Sequence, residues 1–352
     1  MPILSRTIHI PLFLHIQREP VEHVCDVLAE NHLVFRAPLV LSDEDVWPIV
    51  GEKVYRDLQE RHPRARYQMV SSTRIEDAGA ILDLIRSEGI DVVVSVGGGK
   101  VIDVGKYCAC QRRVNFISFP TAAANDGLAS PIAVMQVEGK PQSLMTNMPL
   151  GVIVDLEVIQ RAPRRRVIAG ICDLVSNVSA IEDWLLAQRR GQDRVDDFAK
   201  TLSLMAGETL LNLPRIAIDD PRFLEDLLSG LVLSGVAMGV AGSSRPASGA
   251  EHEFSHALDE VLDEPLIHGE QVALGTLLAS HLRGKDFERI RDFLSQVGAP
   301  VTARQLGIPG EKIIEALVLA PDIRPERYTL FNEVRFSETE AERVARDAGV
   351  IG

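Results

Sequence analysis

The sequence has few cysteines, fewer basic than acidic residues, and no long uninterrupted apolar run. Four cysteines among 352 residues are too few for a disulfide scaffold, which indicates reduced thiols and a cytoplasmic protein. Lys and Arg number 37 against 50 Asp and Glu, and the net charge of −13 argues against nucleic-acid and membrane-surface partners. A small anionic substrate stays possible, because a local basic pocket can lie within an acidic surface.

Two further absences argue against a membrane or secreted protein. The most apolar stretch, Leu227–Ala241, is short for a membrane span and contains three glycines, so it predicts a buried core helix. The N-terminal residues Met1–Arg6 lack the charged start and apolar core of a signal peptide.

Apolar runs and amphipathic stretches alternate in the first part of the chain. Strands are predicted at Leu39–Leu41, Tyr67–Val70, Asp91–Val96 and Asn115–Pro120, with helices over residues 44–61 and 75–88. The run at 91–96 is typical of a central parallel strand buried on both faces. This order predicts a doubly wound, Rossmann-like α/β domain over residues 1–160. Helical patterns replace strands beyond it and predict an all-α domain over 161–352.

A glycine turn, Gly97-Gly98-Gly99-Lys100, follows the central strand and opens a helix. Backbone N–H groups at a helix start attract anions, and residues without Cβ let a pyrophosphate approach closely. The alternative is a plain strand-to-helix turn. Asp43 follows an earlier strand, where a carboxylate either accepts from the ribose hydroxyls of a dinucleotide or caps a helix.

Three histidines lie close together at positions 252, 256 and 268. Residues 252–256 match the H-E-x-x-H pattern of zinc proteases, but that interpretation leaves the glycine turn and the α/β half unexplained. A second interpretation has Asp173, His252 and His268 holding a divalent metal with open positions, and His256 facing the substrate. The structural alternative is that these are core or surface histidines.

Taken together, these residues resemble the sn-glycerol-1-phosphate dehydrogenase family, within the metal-dependent alcohol dehydrogenase and dehydroquinate synthase-like superfamily. The resemblance runs in order from about residue 40 to 335. The matching segments are Gly97–Tyr107, Phe119–Pro131, Val154–Leu156, Ala169–Asp173, Arg245–Asp259, His268–Val272 and Arg327–Leu330.

The resemblance implies a dehydroquinate synthase-like fold in which a nucleotide-binding domain and a helical domain enclose the active site. The implied reaction is reduction of dihydroxyacetone phosphate to sn-glycerol 1-phosphate by NADH or NADPH, in phospholipid metabolism. A homo-oligomer, dimer or larger, is implied by analogy. The metal, Zn²⁺ first and Fe²⁺ or Ni²⁺ as alternatives, falls on Asp173, His252 and His268. Catalytic and substrate-contacting positions fall on Asp126, Asp173 and His256. With Asp43, the expected cofactor-binding residues are Gly98, Gly99, Lys100, Val101, Ile102, Asp103, Thr121, Ala124 and Ser130.

Two departures from the pattern bear on specificity. Asn125 stands where many relatives carry His, beside the substrate aspartate, which puts the identity of the substrate in doubt. Lys100 replaces the usual Ser and could relax the preference for NAD that Asp43 suggests. The alternative function is therefore a related dehydrogenase acting on another polyol, polyol phosphate or specialised-metabolite alcohol. If the substrate bears a phosphate, Arg245 is the candidate cation.

Overall fold

The computed structural model describes residues 8–17, 23–213, 216–264 and 266–352, so the segment Met1–Arg6 lies outside the described residues. The chain divides into two compact units, Met1–Pro163 and Arg164–Gly352. The predicted combination of a doubly wound α/β part and a helical part is confirmed.

The first unit is built on a six-stranded sheet whose paired strands are all parallel. The strands of the unit are β1 (Phe13–Gln17), β2 (Pro38–Ser42), β3 (Arg66–Met69), β4 (Val92–Gly97), β5 (Asn115–Pro120), β6 (Ile132–Val137), β7 (Lys140–Met145) and β8 (Gly151–Asp155). The sheet order is β1-β8-β5-β4-β2-β3, and β6 with β7 forms a separate antiparallel hairpin. Every residue of β4 is buried, as its continuous apolar run predicts.

The helices of the first unit are α1 (Val24–Glu30), α2 (Glu52–Arg61), α3 (Ala78–Glu88), α4 (Gly99–Arg112) and α5 (Leu156–Arg161). The helix predicted over 44–61 begins as a π-helical turn, Trp47–Gly51, that leads into α2. The four predicted strands are present within one residue or so of their expected bounds. The predictions omit β1, β8, the hairpin, α1 and α5.

The strand order reverses between β2 and β4. From β2 the chain crosses to β3 on one side and then returns to β4 on the other. In open parallel sheets, ligands bind at the carboxyl ends of the strands where this reversal occurs. The residues that follow β2 and β4 are Asp43 and Gly98, so the expected nucleotide contacts lie at this edge.

The second unit contains helices and no strand among its described residues. The helices are α6 (Arg164–Arg189), α7 (Asp197–Leu211), α8 (Pro221–Ala241), α9 (Ala250–Val261), α10 (His268–Arg283), α11 (Phe287–Val297), α12 (Gly310–Ile323), α13 (Leu330–Val334) and α14 (Glu338–Asp347). Helix α8 is long and apolar enough to cross a membrane, but 67% of its apolar window is buried inside the protein. That burial is typical of the core helix predicted for Leu227–Ala241.

Helix α10 approaches its neighbours at glycine positions. A Cβ on Gly269 would lie 2.1 Å from the carbonyl oxygen of Ala169 on α6, and one on Gly275 would lie 2.5 Å from that of Glu251 on α9. Only glycine allows backbones to approach so closely. These two contacts therefore set the position of α10, and with it of His268, relative to α6 and α9.

Candidate functional site

Side chains from three helices of the second unit converge on one point. Asp173 lies on α6, His252 lies on α9, and His268 is the first residue of α10. One potential ligand atom from each lies within 4.8 Å of the others. The Nε2 atoms of His252 and His268 are 3.5 Å and 3.7 Å from Asp173 Oδ1. Two imidazoles and a carboxylate are a donor set suited to Zn²⁺ or Fe²⁺.

A buried carboxylate supports His252 at its other ring nitrogen. Glu251 Oε1 lies 3.1 Å from His252 Nδ1, and Glu251 Oε2 accepts a hydrogen bond of 2.8 Å from the Ser179 hydroxyl. Burial, the largest single effect, lowers the pKa of His252, but Asp173 and Glu251 together outweigh it and raise the pKa to about 9. Because metal ions bind the neutral imidazole, this proton leaves when a divalent ion binds.

A directed hydrogen-bond chain supports His268. Gln271 donates from Nε2 to Asp259 Oδ1 at 2.8 Å, so its Oε1 is free to accept from the Ser255 hydroxyl at 2.7 Å. Ser255 Oγ, 3.2 Å from His268 Nδ1, then accepts from that nitrogen. Burial and the charge of His252 lower the pKa of His268 to about 4, so the ring is neutral. It therefore presents the lone pair of Nε2 toward Asp173.

His256 lies one turn after His252 on α9 and near the metal-ligand candidates. Its ring centroid is 6.1 Å from that of His268. The Arg324 guanidinium donates to His256 Nε2 at 2.8 Å, because arginine has no acceptor atom. Burial first, and then the charge of Arg324, lower the pKa of His256 well below its ordinary value. The ring is therefore neutral, with its proton on Nδ1.

The H-E-x-x-H pattern has a different meaning in the fold. Glu253, the residue that would be the base of a protease, is buried and accepts from the Thr329 hydroxyl at 2.6 Å. Burial raises the pKa of Glu253 to about 9. Glu270, an alternative third ligand, forms a two-pronged ion pair with Arg165. Neither carboxylate faces the cluster in the manner that a zinc protease requires.

In the first unit, the glycine turn meets the conditions for close approach of a ligand. A Cβ on Gly97 would collide with Val101 at 2.7 Å, so packing within the chain requires that glycine. By contrast, a Cβ on Gly98 would meet nothing within 4 Å, and one on Gly99 only Asn125 Nδ2 at 3.9 Å. Since Gly98 has an ordinary φ of −79°, neither packing nor backbone conformation requires glycine there.

Asp43 and Lys100 meet at the edge where the strand order reverses. Lys100 Nζ is 3.5 Å from Asp43 Oδ2, while Asp43 Oδ1 accepts from the backbone N–H of Val46 at 2.9 Å. One oxygen of Asp43 therefore caps the following turn, while the contact with ribose hydroxyls stays a prediction. The other oxygen and the Lys100 ammonium lie together beside the glycine turn.

The remaining expected cofactor-binding residues differ in which of their atoms a ligand could reach. Val101 and Ile102 have buried side chains in the core, so only their backbone can contact a ligand. Thr121 and Ala124 are half-buried in the loop after β5. The Ser130 side chain is buried, and its hydroxyl oxygen lies 3.4 Å from the backbone nitrogen of Ile132.

A buried lysine holds the loop that carries Asp126. Lys106 Nζ donates to the carbonyl oxygens of Gly127 at 2.8 Å and of Ile132, and it lies 3.1 Å from the carboxylate of Asp103. The side chain of Lys106 is fully buried. The carboxylate of Asp103, an expected cofactor-binding residue, is thus paired with Lys106 within the first unit. Asp126 begins a 3₁₀ turn, Asp126–Leu128, and belongs to the first unit rather than to the histidine cluster of the second.

Two arginines near His256 were not predicted as site residues from the sequence. Arg324 contacts His256, and Arg327 lies close by, whereas Arg245, the expected phosphate partner, forms an ion pair of 2.7 Å with Asp193. Arg327 belongs to a segment that carries the family resemblance, so its position could have been noticed. Arg324 lies 68 residues from His256 and no spacing rule connects them.

Comparison with known proteins places these features in context. The family model for iron-containing alcohol dehydrogenases matches residues 15–163. The glycerol-1-phosphate dehydrogenase [NAD(P)+] of Thermococcus kodakarensis is 41% identical over 314 residues, covering 89% of this chain and 90% of the relative. The enzyme of the same name from Metallosphaera sedula is 38% identical over 352 residues, covering 100% of both chains.

A likeness to solved structures extends over almost the whole chain. The crystal structure of glycerol dehydrogenase from Schizosaccharomyces pombe has a TM-score of 0.80 at 22% sequence identity, covering 98% of this chain and 90% of that one. A probable glycerol dehydrogenase from Sinorhizobium meliloti has a TM-score of 0.78, also at 22% identity, and covers 98% of both chains. At this identity the likeness shows the fold alone.

Proposed function

Because the chain belongs to the glycerol-1-phosphate dehydrogenase family, we propose that it interconverts dihydroxyacetone phosphate and sn-glycerol 1-phosphate by hydride transfer with NADH or NADPH. The observation that carries the proposal is identity of 38–41% to dehydrogenases of that name over 89–100% of this chain. The convergence of Asp173, His252 and His268 supports the proposal, because these residues form a donor set that can bind a divalent metal.

In this proposal residues 1–160 bind the dinucleotide. The N-terminus of α4 meets the pyrophosphate through backbone N–H groups at Gly98 and Gly99, where no Cβ blocks the approach. Lys100 adds a positive charge beside them. Asp43 accepts from the ribose hydroxyls, and its charge disfavours the 2′-phosphate of NADP. The Lys100–Asp43 ion pair weakens the discrimination against NADP, so the enzyme should accept both NADH and NADPH.

Residues 161–352 hold the metal and the substrate. Asp173, His252 and His268 provide one oxygen and two nitrogen ligands, a set that favours Zn²⁺ and also accepts Fe²⁺ or Ni²⁺. Glu251 and Ser255 orient the two imidazoles, as groups around metal-binding histidines commonly do. When bound, the metal polarises the carbonyl or alkoxide oxygen of the substrate, and the nicotinamide supplies or accepts the hydride.

The protein's own groups perform the rest of the reaction. His256, neutral with its proton on Nδ1, donates a hydrogen bond to an oxygen of the substrate and so holds it in place. Asp126 accepts a hydrogen bond from a substrate hydroxyl and so orients the carbon that reacts. The fixed rings of His252 and His268 keep the ligand atoms in place, so that no reorganisation is needed as charge develops on the oxygen.

The stereochemistry of the product is the sharpest test. The purified chain should oxidise NADH or NADPH when dihydroxyacetone phosphate is added, and an enzyme specific for sn-glycerol 3-phosphate should not consume the product. Chelation should abolish turnover, and the His268→Ala variant should lose bound metal while still binding NADH. If dihydroxyacetone phosphate is inert and another small ketone is reduced, the chain is a related dehydrogenase with a different substrate. Absence of any reduction would refute the proposal.

The cellular setting is part of the same proposal. A net charge of −13 and four cysteines, all free in the structure, favour a cytoplasmic enzyme. A role in supplying phospholipid synthesis is what the family resemblance implies. A homo-oligomer, dimer or larger, is expected. Size-exclusion chromatography with light scattering checks the last point directly.

A further inference from the structure

Two arginines lie beside His256 in the second unit, and neither is yet assigned a contact with the substrate. Arg324 follows the end of α12, and its Nη2 is 2.8 Å from His256 Nε2. Arg327 lies three residues further along the chain. Its Nη1 donates to the carbonyl oxygen of Ser248 at 2.7 Å, and its Nη2 donates to the Ser244 hydroxyl at 2.8 Å. Both acceptors are neutral.

Both guanidiniums contact Ser248, since Arg324 Nη1 donates to its hydroxyl at 3.4 Å and Arg327 Nη1 donates to its carbonyl oxygen. Burial first, and then the charges of Arg324 and Arg245, lower the pKa of Arg327 to about 10. Burial also lowers the pKa of Arg324. The positive charges of Arg324 and Arg327 thus lie in a poorly hydrated region, where an anion would bind strongly.

Three carboxyl groups lie in the same region. Asp193 pairs with Arg245 at 2.7 Å, which accounts for that arginine alone. Glu253 is buried, and its carboxyl group accepts a hydrogen bond of 2.6 Å from the Thr329 hydroxyl. Glu326 is exposed to solvent, where screening weakens its effect.

The pair also lies at a suitable distance from the metal-ligand candidates. His256 stands between them, since its ring is 6.1 Å from that of His268 and its Nε2 touches Arg324. A small ketone whose oxygen lies at Asp173, His252 and His268 would extend past His256 toward the guanidiniums. A terminal phosphate on a three-carbon chain has the charge and the oxygen geometry that arginine forks bind.

We propose that Arg324 and Arg327 form the subsite that binds the phosphate group of the substrate. This inference rests on the proposed function, because it assigns the phosphate end of that same substrate. Arg245 is the weaker candidate, because its charge is paired with Asp193 and it also donates to the Tyr328 carbonyl oxygen at 2.8 Å. The alternative is that the two arginines only anchor the loop at residues 244–248 that leads into α9.

Kinetics with two ketones separate these roles. The Arg324→Met and Arg327→Met variants are compared with wild type on dihydroxyacetone phosphate and on dihydroxyacetone. Each substitution should raise KM for the phosphorylated ketone by about 10- to 100-fold, the range for losing hydrogen bonds to a charged group. For Arg327→Met, turnover of dihydroxyacetone should change by less than about threefold. Arg324→Met also removes the donor to His256 Nε2, so its readout is a larger rise in KM for the phosphorylated ketone than for dihydroxyacetone. Inhibition by inorganic phosphate should weaken in parallel.

A surface arginine supplies the matched control. Arg335 pairs with Asp322 at 3.5 Å, and its side chain is 72% exposed. The Arg335→Met variant removes the same charge from a neighbouring part of the chain and should leave both substrates unaffected. Arg324→Lys and Arg327→Lys keep the charge but lose the fork, so they should fall between wild type and the methionine variants. They also serve if a methionine variant does not fold.

The outcomes distinguish the subsite from the function. If both ketones lose activity together and metal content falls, the arginines are loop anchors and the proposal is overturned. Unchanged KM and unchanged phosphate inhibition overturn it as well, while leaving the proposed function intact. If wild type does not reduce dihydroxyacetone phosphate, calorimetric binding of inorganic phosphate decides. Binding that is lost in the variants supports the subsite even though the proposed function fails, and binding that is retained overturns the subsite.

Discussion

Replacing Lys106 by methionine tests how much one buried ion pair contributes to the first unit. The Lys106 side chain is 0% exposed, and its ammonium lies 3.1 Å from Asp103 and donates to the carbonyl oxygens of Gly127 and Ile132. The Lys106→Met variant fills similar space but leaves a buried carboxylate without its cation. Removing one partner of a buried pair costs about 3–5 kcal/mol.

The same helix offers a matched control. Lys100 also pairs with an aspartate, Asp43, at 3.5 Å, but its side chain is 39% exposed. An exposed pair of this kind contributes about 0–1 kcal/mol. Scanning calorimetry of the full chain should therefore show a fall of roughly 6–20 °C in the melting transition of the first unit for Lys106→Met. Lys100→Met should lower it by no more than about 4 °C.

Acid should narrow the difference between wild type and Lys106→Met. Burial already raises the pKa of Asp103, and Lys106 opposes that rise. Without Lys106 the folded-state pKa rises further above its unfolded value of about 3.9, so the penalty is full at neutral pH. It is lost as the pH falls through the folded-state pKa, because the carboxyl group is then protonated. A Lys106→Met variant as stable as Lys100→Met, or a difference that does not shrink as the pH is lowered from neutrality, would refute the reasoning.

Three further substitutions test the sites. Gly269→Ala forces α10 away from Ala169, which should lower the free energy of unfolding by about 1–3 kcal/mol. It should also lower the metal content that remains after dialysis, and an unaltered metal content would contradict the packing argument. Ser255→Ala removes the partner of His268 Nδ1 and should weaken metal affinity by about 10- to 100-fold in a chelator competition, whereas Ser255→Thr keeps the hydroxyl and should not. Asp43→Asn removes the charge expected to repel a 2′-phosphate, so kcat/KM for NADPH relative to NADH should rise by about tenfold, and an unchanged ratio would exclude a role in cofactor choice.

Much of the first unit could be predicted because its strands are short, apolar and separated by helix signals. The exceptions have physical reasons. The hairpin of β6 and β7 turns at Glu138 and Gly139, which both have positive φ, and the preference of such turns for glycine was the available signal. All five residues of β8 are buried, yet its run is brief and follows an irregular segment. Edge strand β1 has a weak pattern because it is only partly covered.

The histidine cluster was more accessible to prediction than its surroundings. His252 and His268 stand 16 positions apart, close enough to be noticed together. Asp173 precedes His252 by 79 positions, a separation that no spacing rule covers, and the family resemblance supported its inclusion. The Ser255–Gln271–Asp259 chain and the arginines at 324 and 327 depend on how α9, α10 and α12 pack. Periodicity predicts that such helices exist, but not which of their faces meet.

The convergence of α6, α9 and α10 on one ion links metal supply to the lifetime of the protein. A bound divalent ion would tie together segments 79 and 95 positions apart along the chain and would bind the folded state in preference to the unfolded one. At an ion concentration of 100 times the dissociation constant, that preference adds about 2.7 kcal/mol to folding. Cells short of metal would then lose the enzyme in two ways, first as activity and then as protein, because the helical unit opens more often to proteases.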